Sequence, residues 1–220
     1  SLKVSTTAVL CTLPIAFLLA WLLARGRFPG RILLDALVYL PLVLPPVVTG
    51  WLLLLAFGNN GPAGRWMAEW FGITFMFRWT GAALAAAVMA LPLMGRAIRL
   101  SIEAVDRRLE GAARKLGASP ARVFATITLP LSLPGILAGA VLGFARSIGE
   151  FGATITFVSN IPGETRTLPI AIYSALQTPG GENIVTRLAL ISVALSLGAL
   201  ILSEYLARKA GSGAQGIHGI

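Results

Sequence analysis

Long apolar stretches separated by short polar segments dominate this chain. Residues 2–24, 33–57, 80–100, 133–157 and 187–207 are mainly apolar, and each stretch contains 21 residues or more. A helix of about 20 residues crosses the roughly 30 Å hydrocarbon layer of a bilayer. The pattern therefore predicts an all-α, polytopic transmembrane helical bundle of about five spans.

The composition excludes an ordinary soluble protein. Of the 220 residues, 56% are hydrophobic and 12% are charged, whereas soluble domains carry about 25% charged residues. The net charge of +9 would suit a nucleic-acid-binding protein. The positive residues, however, fall at the ends of the apolar stretches, as they do in membrane proteins. We therefore expect an integral membrane protein that binds no nucleic acid.

The chain lacks the residue sets that catalysis and metal binding require. Cys11 is the single cysteine and lies in an apolar stretch, and His218 is the single histidine and lies in the Gly-rich end of the chain. The sequence contains no Cys/His cluster and no phosphate-binding Gly-Lys-Ser loop. It predicts a protein without catalytic residues or a metal site, with one transmembrane domain (residues 1–209) and a disordered tail (residues 210–220).

Lys and Arg residues are distributed unequally between the two sides of the predicted bundle. Twelve of the 18 lie after the first stretch, between Arg96 and Arg122, or after the last stretch. The other side carries four, at Lys3, Arg65, Arg78 and Arg166. Because positive residues are enriched on the cytoplasmic side, five spans place the N-terminus outside the cell and the C-terminus in the cytoplasm.

Prolines interrupt the second apolar stretch, at Pro41, Pro45 and Pro46, with Gly50 close behind. Proline removes a backbone donor and kinks a helix, and the carbonyls that it frees inside a membrane need a protein or water partner. This stretch is expected either to line a pathway or to pack tightly against a neighbour, and the sequence leaves both interpretations open.

Two ionisable residues lie at the centre of the fourth stretch. Arg146 and Glu150 are four residues apart, so they can pair on one helix face, and ionisable residues inside a membrane are costly unless they are paired or hydrated. Gly149 and Gly152 would loosen the helix or let a neighbour approach closely. The pair is either part of a transport pathway or a structural link to a neighbouring helix.

Two longer polar segments are expected outside the membrane, opposite the cytoplasm. Residues 59–79 combine turn residues with Trp and Phe side chains, which are typical of the membrane interface. Residues 160–183 contain an apolar segment, 168–176, that is too short to span a bilayer. We expect this segment to form a short helix that lies at the surface or dips into the core.

A charged segment of about residues 103–130, which we call the elbow, separates the third and fourth stretches. Its apolar residues follow a helical period, so one face of a short helix is expected at Val105, Leu109, Ala112 and Leu116. Gly117 would end this helix in a left-handed conformation.

A second short helix is expected after this turn. Ser119 suits its N-cap and Pro120 its first position. Pro130 and Pro134 are expected to break this helix before the fourth span begins. The elbow is therefore predicted to be a folded, water-exposed element on a protein that is otherwise buried in lipid.

The elbow resembles a known signature. Gly111-Ala112-Ala113, three residues, Gly117, nine residues and then Ile127-x-Leu129-Pro130 are similar to the EAA motif of ABC-importer permeases, although Gly111 occupies the position of the motif's glutamate and Glu110 lies one place earlier. The resemblance implies a coupling helix that docks on a separate ATP-binding subunit. The residues expected to couple this chain to the ATP-binding subunit are Glu110, Gly111, Ala112, Ala113, Gly117, Ala118, Ser119, Pro120 and Arg122.

Further stretches narrow the resemblance over most of the chain. LPLVLPPVVTG, ARSIGEFGATITFVSNIPGETRTLP and YSALQTPGGE are similar to permease subunits of molybdate importers. This implies a type I ABC importer permease architecture in the inner membrane of a bacterium or archaeon. It also implies a homodimer of this chain, two partner subunits that bind ATP and Mg²⁺, and an external oxyanion-binding protein. This chain itself would bind no cofactor.

Other functions remain open from the sequence. Tungstate or sulfate and thiosulfate are alternative substrates, because the GEFGA element also resembles sulfate-type permeases. An ion-coupled secondary carrier could use Arg146 and Glu150 but would leave the elbow unexplained, and a membrane scaffold would make both features incidental. For an importer that works by alternating access, the pathway is expected near Pro45, Pro46, Thr49, Arg146, Ser147, Gly149, Glu150 and Thr154.

Overall fold

The structure, a computed structural model, describes the backbone of residues 1–215 and the side chains as far as residue 202 and at Tyr205. This part of the chain is helical and contains no strand. Its elements are α1 (Leu2–Arg25), α2 (Arg31–Val43), α3 (Pro46–Phe57), α4 (Pro62–Phe71), α5 (Trp79–Ala104), α6 (Arg107–Lys115), α7 (Pro120–Val123), a π-helical segment (Phe124–Thr128), α8 (Leu129–Ile148), α9 (Gly152–Val158), α10 (Leu168–Leu176) and α11 (Glu182–Gln215).

Four helical stretches among the described residues are long and apolar enough to cross a membrane. They are α1, α5, the continuous run Pro120–Ile148, and Glu182–Leu202 within α11. The prediction of an all-α bundle of transmembrane helices is confirmed. The first and third spans agree with their predicted limits to within a few residues.

The second predicted span is not one straight helix. It consists of α2 and α3, which are bent by 117° about a short break. Leu44 in this break is extended, at φ −71° and ψ 143°, because a residue that precedes proline is disfavoured in the helical region. The prolines therefore end one helix and start another, which is a sharper change than the expected kink.

Contacts at the two ends of α1 show how the chain crosses the bundle. At one end, the Lys3 ammonium lies 3.7 Å from the ring centre of Trp79, at the start of α5. At the other end, Arg25 donates hydrogen bonds to the carbonyls of Ile102 and Val105, at the end of α5. Helices α1 and α5 are therefore parallel, and α2 and α3 together must carry the chain back across. With this broken crossing included, the count agrees with about five spans.

Small residues fill the core between α1 and α5. One buried cluster holds Ala8 against the alanines of the first half of α5, together with Phe157 of α9. A second cluster joins Ala16 and Ala20 to Met94 and Ile98. In lipid, close van der Waals packing of small residues takes the place of a hydrophobic driving force between helices. The alanines of the third apolar stretch therefore allow α5 to pack closely against α1.

The fourth predicted span is also broken. Helix α8 ends at Ile148, and α9 begins at Gly152, so the intervening residues, including Glu150, lie outside helical structure. The prediction of one continuous span over residues 133–157 was therefore wrong in its centre. Glycines on both sides of the break weaken the helix at this point.

Pro130 and Pro134 do not break the helix that follows the elbow. Residues Pro120–Ile148 form one continuous helical run. Immediately before Pro130, the amide of Leu129 bonds to the carbonyl of Phe124, which is the wider spacing of a π-helix. The π-helical segment and the first turn of α8 accommodate a residue that has no N–H, so the expectation of a second break was wrong.

The loops over residues 59–79 and 160–183 and the C-terminal end contain more helix than expected. Helix α4 lies within residues 59–79, the segment rich in Trp and Phe, and exposes Trp66 and Trp70 on successive turns. The short helix expected at 168–176 is present as α10. The backbone of α11 continues to Gln215, where a disordered tail was expected from residue 210, and His218 lies outside the described residues.

We predict that Gly50→Ala destabilises the bundle. A Cβ atom at Gly50 would lie 2.6 Å from the carbonyl oxygen of Ala153, and overpacking of this kind costs about 1–3 kcal/mol. Thermal unfolding of the purified protein in detergent should show a lower midpoint than in the wild type. Gly95→Ala is the matched control, because a Cβ atom there meets nothing within 4 Å. Equal midpoints for the two variants would contradict the close approach of α3 and α9.

Candidate functional site

The turn of the elbow is built by local hydrogen bonds that the sequence predicted. Gly117 is left-handed, at φ +86°. The amides of Gly117 and Ala118 bond to the carbonyls of Arg114 and Ala113, which is the Schellman arrangement at a helix end. The Ser119 hydroxyl then accepts a hydrogen bond from the Arg122 amide at 3.3 Å and caps α7. The two elbow helices are thus held at a fixed angle.

The outer surface of the elbow is apolar and basic. Leu116 is 89% exposed and Leu109 is 47% exposed, so most of the apolar face predicted for the first helix is not covered within this chain. Arg108, Arg114 and Lys115 are exposed on the same helix. An exposed leucine pair framed by cations, outside the membrane, is a surface that another protein can bury.

Glu110 points away from that surface, towards the ends of the spans. Its Oε1 atom lies 2.9 Å from Arg25 Nη2 and accepts a hydrogen bond from the Thr128 hydroxyl at 2.8 Å. A cleft of about 360 Å³ opens beside these groups. Trp21, Arg25, Arg107, Glu110, Arg114 and Phe124 are among the residues that line it. Arg25 and Thr128 could not be predicted at this site from a local pattern, because Glu110 is remote from both of them along the chain.

The breaks in the second and fourth spans meet inside the bundle. A Cβ atom at Gly152 would lie 2.8 Å from Cβ of Pro46, and one at Gly50 would touch the backbone of Ala153. The starts of α3 and α9 therefore lie directly against each other. Although Gly50 and Gly152 were noted in the sequence, neither was predicted as a contact between these two spans.

Arg146 and Glu150 form the predicted ion pair, with Nη1 and Oε2 2.7 Å apart. The Glu150 side chain is 2% exposed and that of Arg146 is 25% exposed. The other oxygen of Glu150 accepts a hydrogen bond from the Ala153 amide at 2.8 Å, which satisfies one of the free N–H groups at the start of α9. Glu150 thus neutralises a cation and caps a helix at the same time.

The remaining residues predicted for a pathway are divided between the interior and the surface of the chain. Thr49, Ser147 and Thr154 are buried, and the hydroxyls of Thr49 and Ser147 have no hydrogen-bond partner among the described residues. Pro45, Pro46 and Gly149 are exposed on the protomer. The two breaks therefore combine buried hydroxyls, an ion pair whose carboxylate is buried, and the exposed residues Pro45, Pro46 and Gly149.

Comparisons with known proteins agree with this architecture. Residues 13–212 match the family described as binding-protein-dependent transport system inner membrane component. The molybdenum transport system permease protein ModB of Escherichia coli K12 is 64% identical over 208 residues, 94% of this chain and 91% of that protein. ModB of Haemophilus influenzae is 59% identical over 209 residues, 95% and 91% of the two chains. The sulfate permease CysW of Synechocystis is 38% identical over 195 residues, 87% and 69% of the two chains.

Solved structures share the fold at low sequence identity. A bacterial alginate ABC transporter in complex with a periplasmic protein superposes with a TM-score of 0.73 at 18% identity, covering 94% of this chain and 76% of that one. The MetNI methionine ABC transporter gives a TM-score of 0.71 at 16% identity, covering 95% and 92%. The predicted type I importer architecture is confirmed.

The fold and the elbow define the membrane-embedded subunit of an ABC-type transporter, in which ATP hydrolysis belongs to a separate subunit. The chain belongs to the family of binding-protein-dependent transport system inner membrane components. It is therefore a multi-pass inner-membrane protein and a translocation subunit, as the sequence predicted.

We predict that Glu150→Gln destabilises the protein because it leaves Arg146 without its counter-ion. Removal of one partner from a buried pair costs about 3–5 kcal/mol, and the partial exposure of Arg146 places the expected loss at the lower end. The glutamine oxygen can still accept the bond from Ala153, so Glu150→Ala should cost more. The measurement is the midpoint of thermal unfolding in detergent.

Glu103→Gln is the control for this prediction, because Glu103 pairs with Arg99 near the surface, where pairs contribute about 0–1 kcal/mol. An unchanged midpoint for Glu150→Gln would show that the buried pair contributes nothing to stability.

Proposed function

We propose that this chain is the permease subunit of an ATP-driven importer of molybdate. The observation that carries the proposal is the elbow, a capped and water-exposed element that joins two spans and presents exposed leucines and cations. The substrate follows from the 64% identity to an E. coli molybdenum transport permease across nearly the whole of both chains. Tungstate, a tetrahedral oxyanion of the same charge, would share the pathway.

The elbow is the docking site for the ATP-binding subunit in this proposal. ATP and Mg²⁺ are bound by that partner, and this chain binds no cofactor. The residues of the docking segment are Gly111, Ala112, Ala113, Gly117, Ala118, Ser119, Pro120 and Arg122, with Glu110 supporting them from behind. ATP-driven closure of two partner subunits would move two elbows together and open the pathway to the outside.

Import of this substrate requires an energy source. Moving one elementary charge across 100 mV corresponds to about 2.3 kcal/mol, so a dianion that enters a negative cell must overcome about 4.6 kcal/mol. A passive channel cannot concentrate a dianion against that potential.

The pathway is proposed to run between two copies of the chain, along the paired breaks of the second and fourth spans. The hydroxyls of Thr49, Ser147 and Thr154 can donate hydrogen bonds to an oxyanion in place of water, next to the exposed residues Pro45, Pro46 and Gly149. Arg146 does not act as an anion trap, because Glu150 neutralises it at 2.7 Å. Weak binding permits release, and high affinity is left to an external oxyanion-binding protein.

Sulfate is the second candidate substrate, because CysW of Synechocystis is 38% identical over 87% of this chain. Molybdate is favoured by the higher identity and by the fuller coverage of the ModB proteins. Uptake of labelled molybdate into proteoliposomes that contain the assembled transporter, with excess sulfate or tungstate as competitor, separates the substrates. Sulfate uptake that molybdate does not inhibit would overturn the assignment.

The topology generates a prediction. We propose that the N-terminus is outside the cell and that the elbow and the C-terminus are cytoplasmic, because twelve Lys and Arg residues lie on the elbow side. In a background without the exposed Cys11, single cysteines at Ser119 and Asn60 should react with an impermeant reagent from opposite sides. Labelling of both from outside intact cells would contradict the proposed orientation.

We predict that Gly117→Val abolishes docking of the ATP-binding subunit while the protein still inserts into the membrane. A valine forced into the left-handed conformation costs about 1–2 kcal/mol and would change the angle between the elbow helices. Co-purification with the ATP-binding subunit and transport-coupled ATP hydrolysis are the measurements.

Gly72→Val provides the matched control. Gly72 is also left-handed, at φ +65°, and a Cβ atom added there would meet nothing within 4 Å, as at Gly117, but Gly72 ends α4 in the outer loop. The control should bind the ATP-binding subunit normally. Normal coupled ATP hydrolysis in Gly117→Val would exclude the elbow as the docking site.

A further inference from the structure

A small polar cluster behind the elbow connects it to the ends of three spans. Arg25, Glu110 and Thr128 form this cluster, which we call the joint. Glu110 lies between the other two, at 2.9 Å from Arg25 and 2.8 Å from Thr128. The side chains of Arg25 and Glu110 are 13% and 14% exposed, so water screens this pair far less than it screens a surface pair.

Arg25 extends the joint to the end of α5. The guanidinium that pairs with Glu110 also donates to the carbonyls of Ile102 at 3.1 Å and Val105 at 3.2 Å. These carbonyls belong to the last turn of α5 and its cap, where the helix itself offers few donors; the Ile102 carbonyl also accepts a bond from the Val105 amide at 3.3 Å. Arg107 of α6 donates in return to the carbonyl of Ala24 at 3.4 Å. One arginine therefore joins the ends of α1 and α5 to α6.

Thr128 extends the joint to α8. It is buried at the end of the π-helical segment, directly before the first residue of α8. Phe124, at the start of the same segment, packs edge-on against Phe17 and Trp21 of α1, with ring centres 5.8 and 6.4 Å apart. The segment is thus held by α1 at one end and by Glu110 at the other.

Glu110 therefore bonds to other residues of this chain and not to the exposed surface of the elbow. Both of its bonds are directed away from the exposed leucines of the elbow, and its charge is matched by Arg25. A partner protein that covers Leu109 and Leu116 would meet a different face of α6, about 100° around the helix from Glu110. Docking and transmission of movement then use different residues of the same nine-residue helix.

We propose that the joint transmits movement of the elbow to α1, α5 and α8 as one unit, and that Glu110 is the positioning residue that makes this coupling tight. The inference rests on the proposed function, because it requires an ATP-binding subunit that moves the elbow. When the joint is intact, displacement of α6 moves the ends of all three spans. When it is broken, α6 moves with its partner while the spans stay behind.

The test uses the complete transporter, with the ATP-binding subunits and the external binding protein, reconstituted in proteoliposomes. Glu110→Gln and Thr128→Val each remove one connection of the joint. Both variants should bind the ATP-binding subunit as the wild type does and should hydrolyse ATP. Molybdate uptake per ATP should fall about tenfold in Glu110→Gln, a change that corresponds to about 1.4 kcal/mol. A smaller fall is expected in Thr128→Val.

Matched controls separate this effect from a general loss of stability. Glu103→Gln makes the same chemical change in the pair with Arg99, outside the joint. Thr126→Val removes a hydroxyl from the same π-helical segment, where the Thr126 hydroxyl donates to the carbonyl of Arg122. Both controls should keep the uptake per ATP of the wild type.

Each other outcome has a definite meaning. Wild-type uptake per ATP in both Glu110→Gln and Thr128→Val would overturn the proposal that the joint transmits movement. Loss of binding to the ATP-binding subunit in Glu110→Gln would make Glu110 a docking residue, which would overturn the joint but support the proposed function. Failure of the wild-type chain to bind any ATP-binding subunit would overturn the proposed function itself. If Glu110→Gln does not fold, the comparison of uptake per ATP between Thr128→Val and its control Thr126→Val tests the joint by itself.

Discussion

The structure depends on one constraint, which is that a bilayer offers no water to backbone groups, so the chain must satisfy them itself. Two spans break inside the bundle and would leave free amides and carbonyls there. The chain meets the constraint by placing the breaks against each other and by turning a carboxylate of Glu150 onto the start of α9. The prolines of the second span and the glutamate of the fourth are therefore two parts of one arrangement.

The elbow obeys a different rule, because it lies outside the lipid. Its helix ends are capped by its own residues, through the turn at Gly117 and the hydroxyl of Ser119. The elbow therefore keeps its shape without contacts on its outer face, so the leucines on that face can remain exposed. The connection to the membrane part is made separately, by Arg25 and Glu110 on the inner face. Rigid shape, partner binding and attachment are thus assigned to distinct sets of residues.

The features that could be predicted from the sequence are those set by near neighbours in the chain. The span lengths, the Gly117 turn, the Ser119 cap and the Arg146–Glu150 pair all depend on residues within a few positions. The meeting of Gly152 with Pro46 and the bond between Arg25 and Glu110 join residues that are far apart, and no local pattern encodes them. Pro130 was misread because a π-helical segment can absorb a missing donor, which depends on how the preceding residues pack.

The contact between α3 and α9 has a mechanical consequence. At Gly50 and Gly152, the nearest atoms of the facing helix belong to its backbone, to a proline ring and to the Cβ atom of Thr156. Interdigitated side chains fix two helices in register, whereas a smooth contact has a low barrier to small displacements along the helix axes. Relative motion of the two broken spans would then be shear, a sliding of packed helices by small steps, which would carry Glu150 along through its bond to the start of α9.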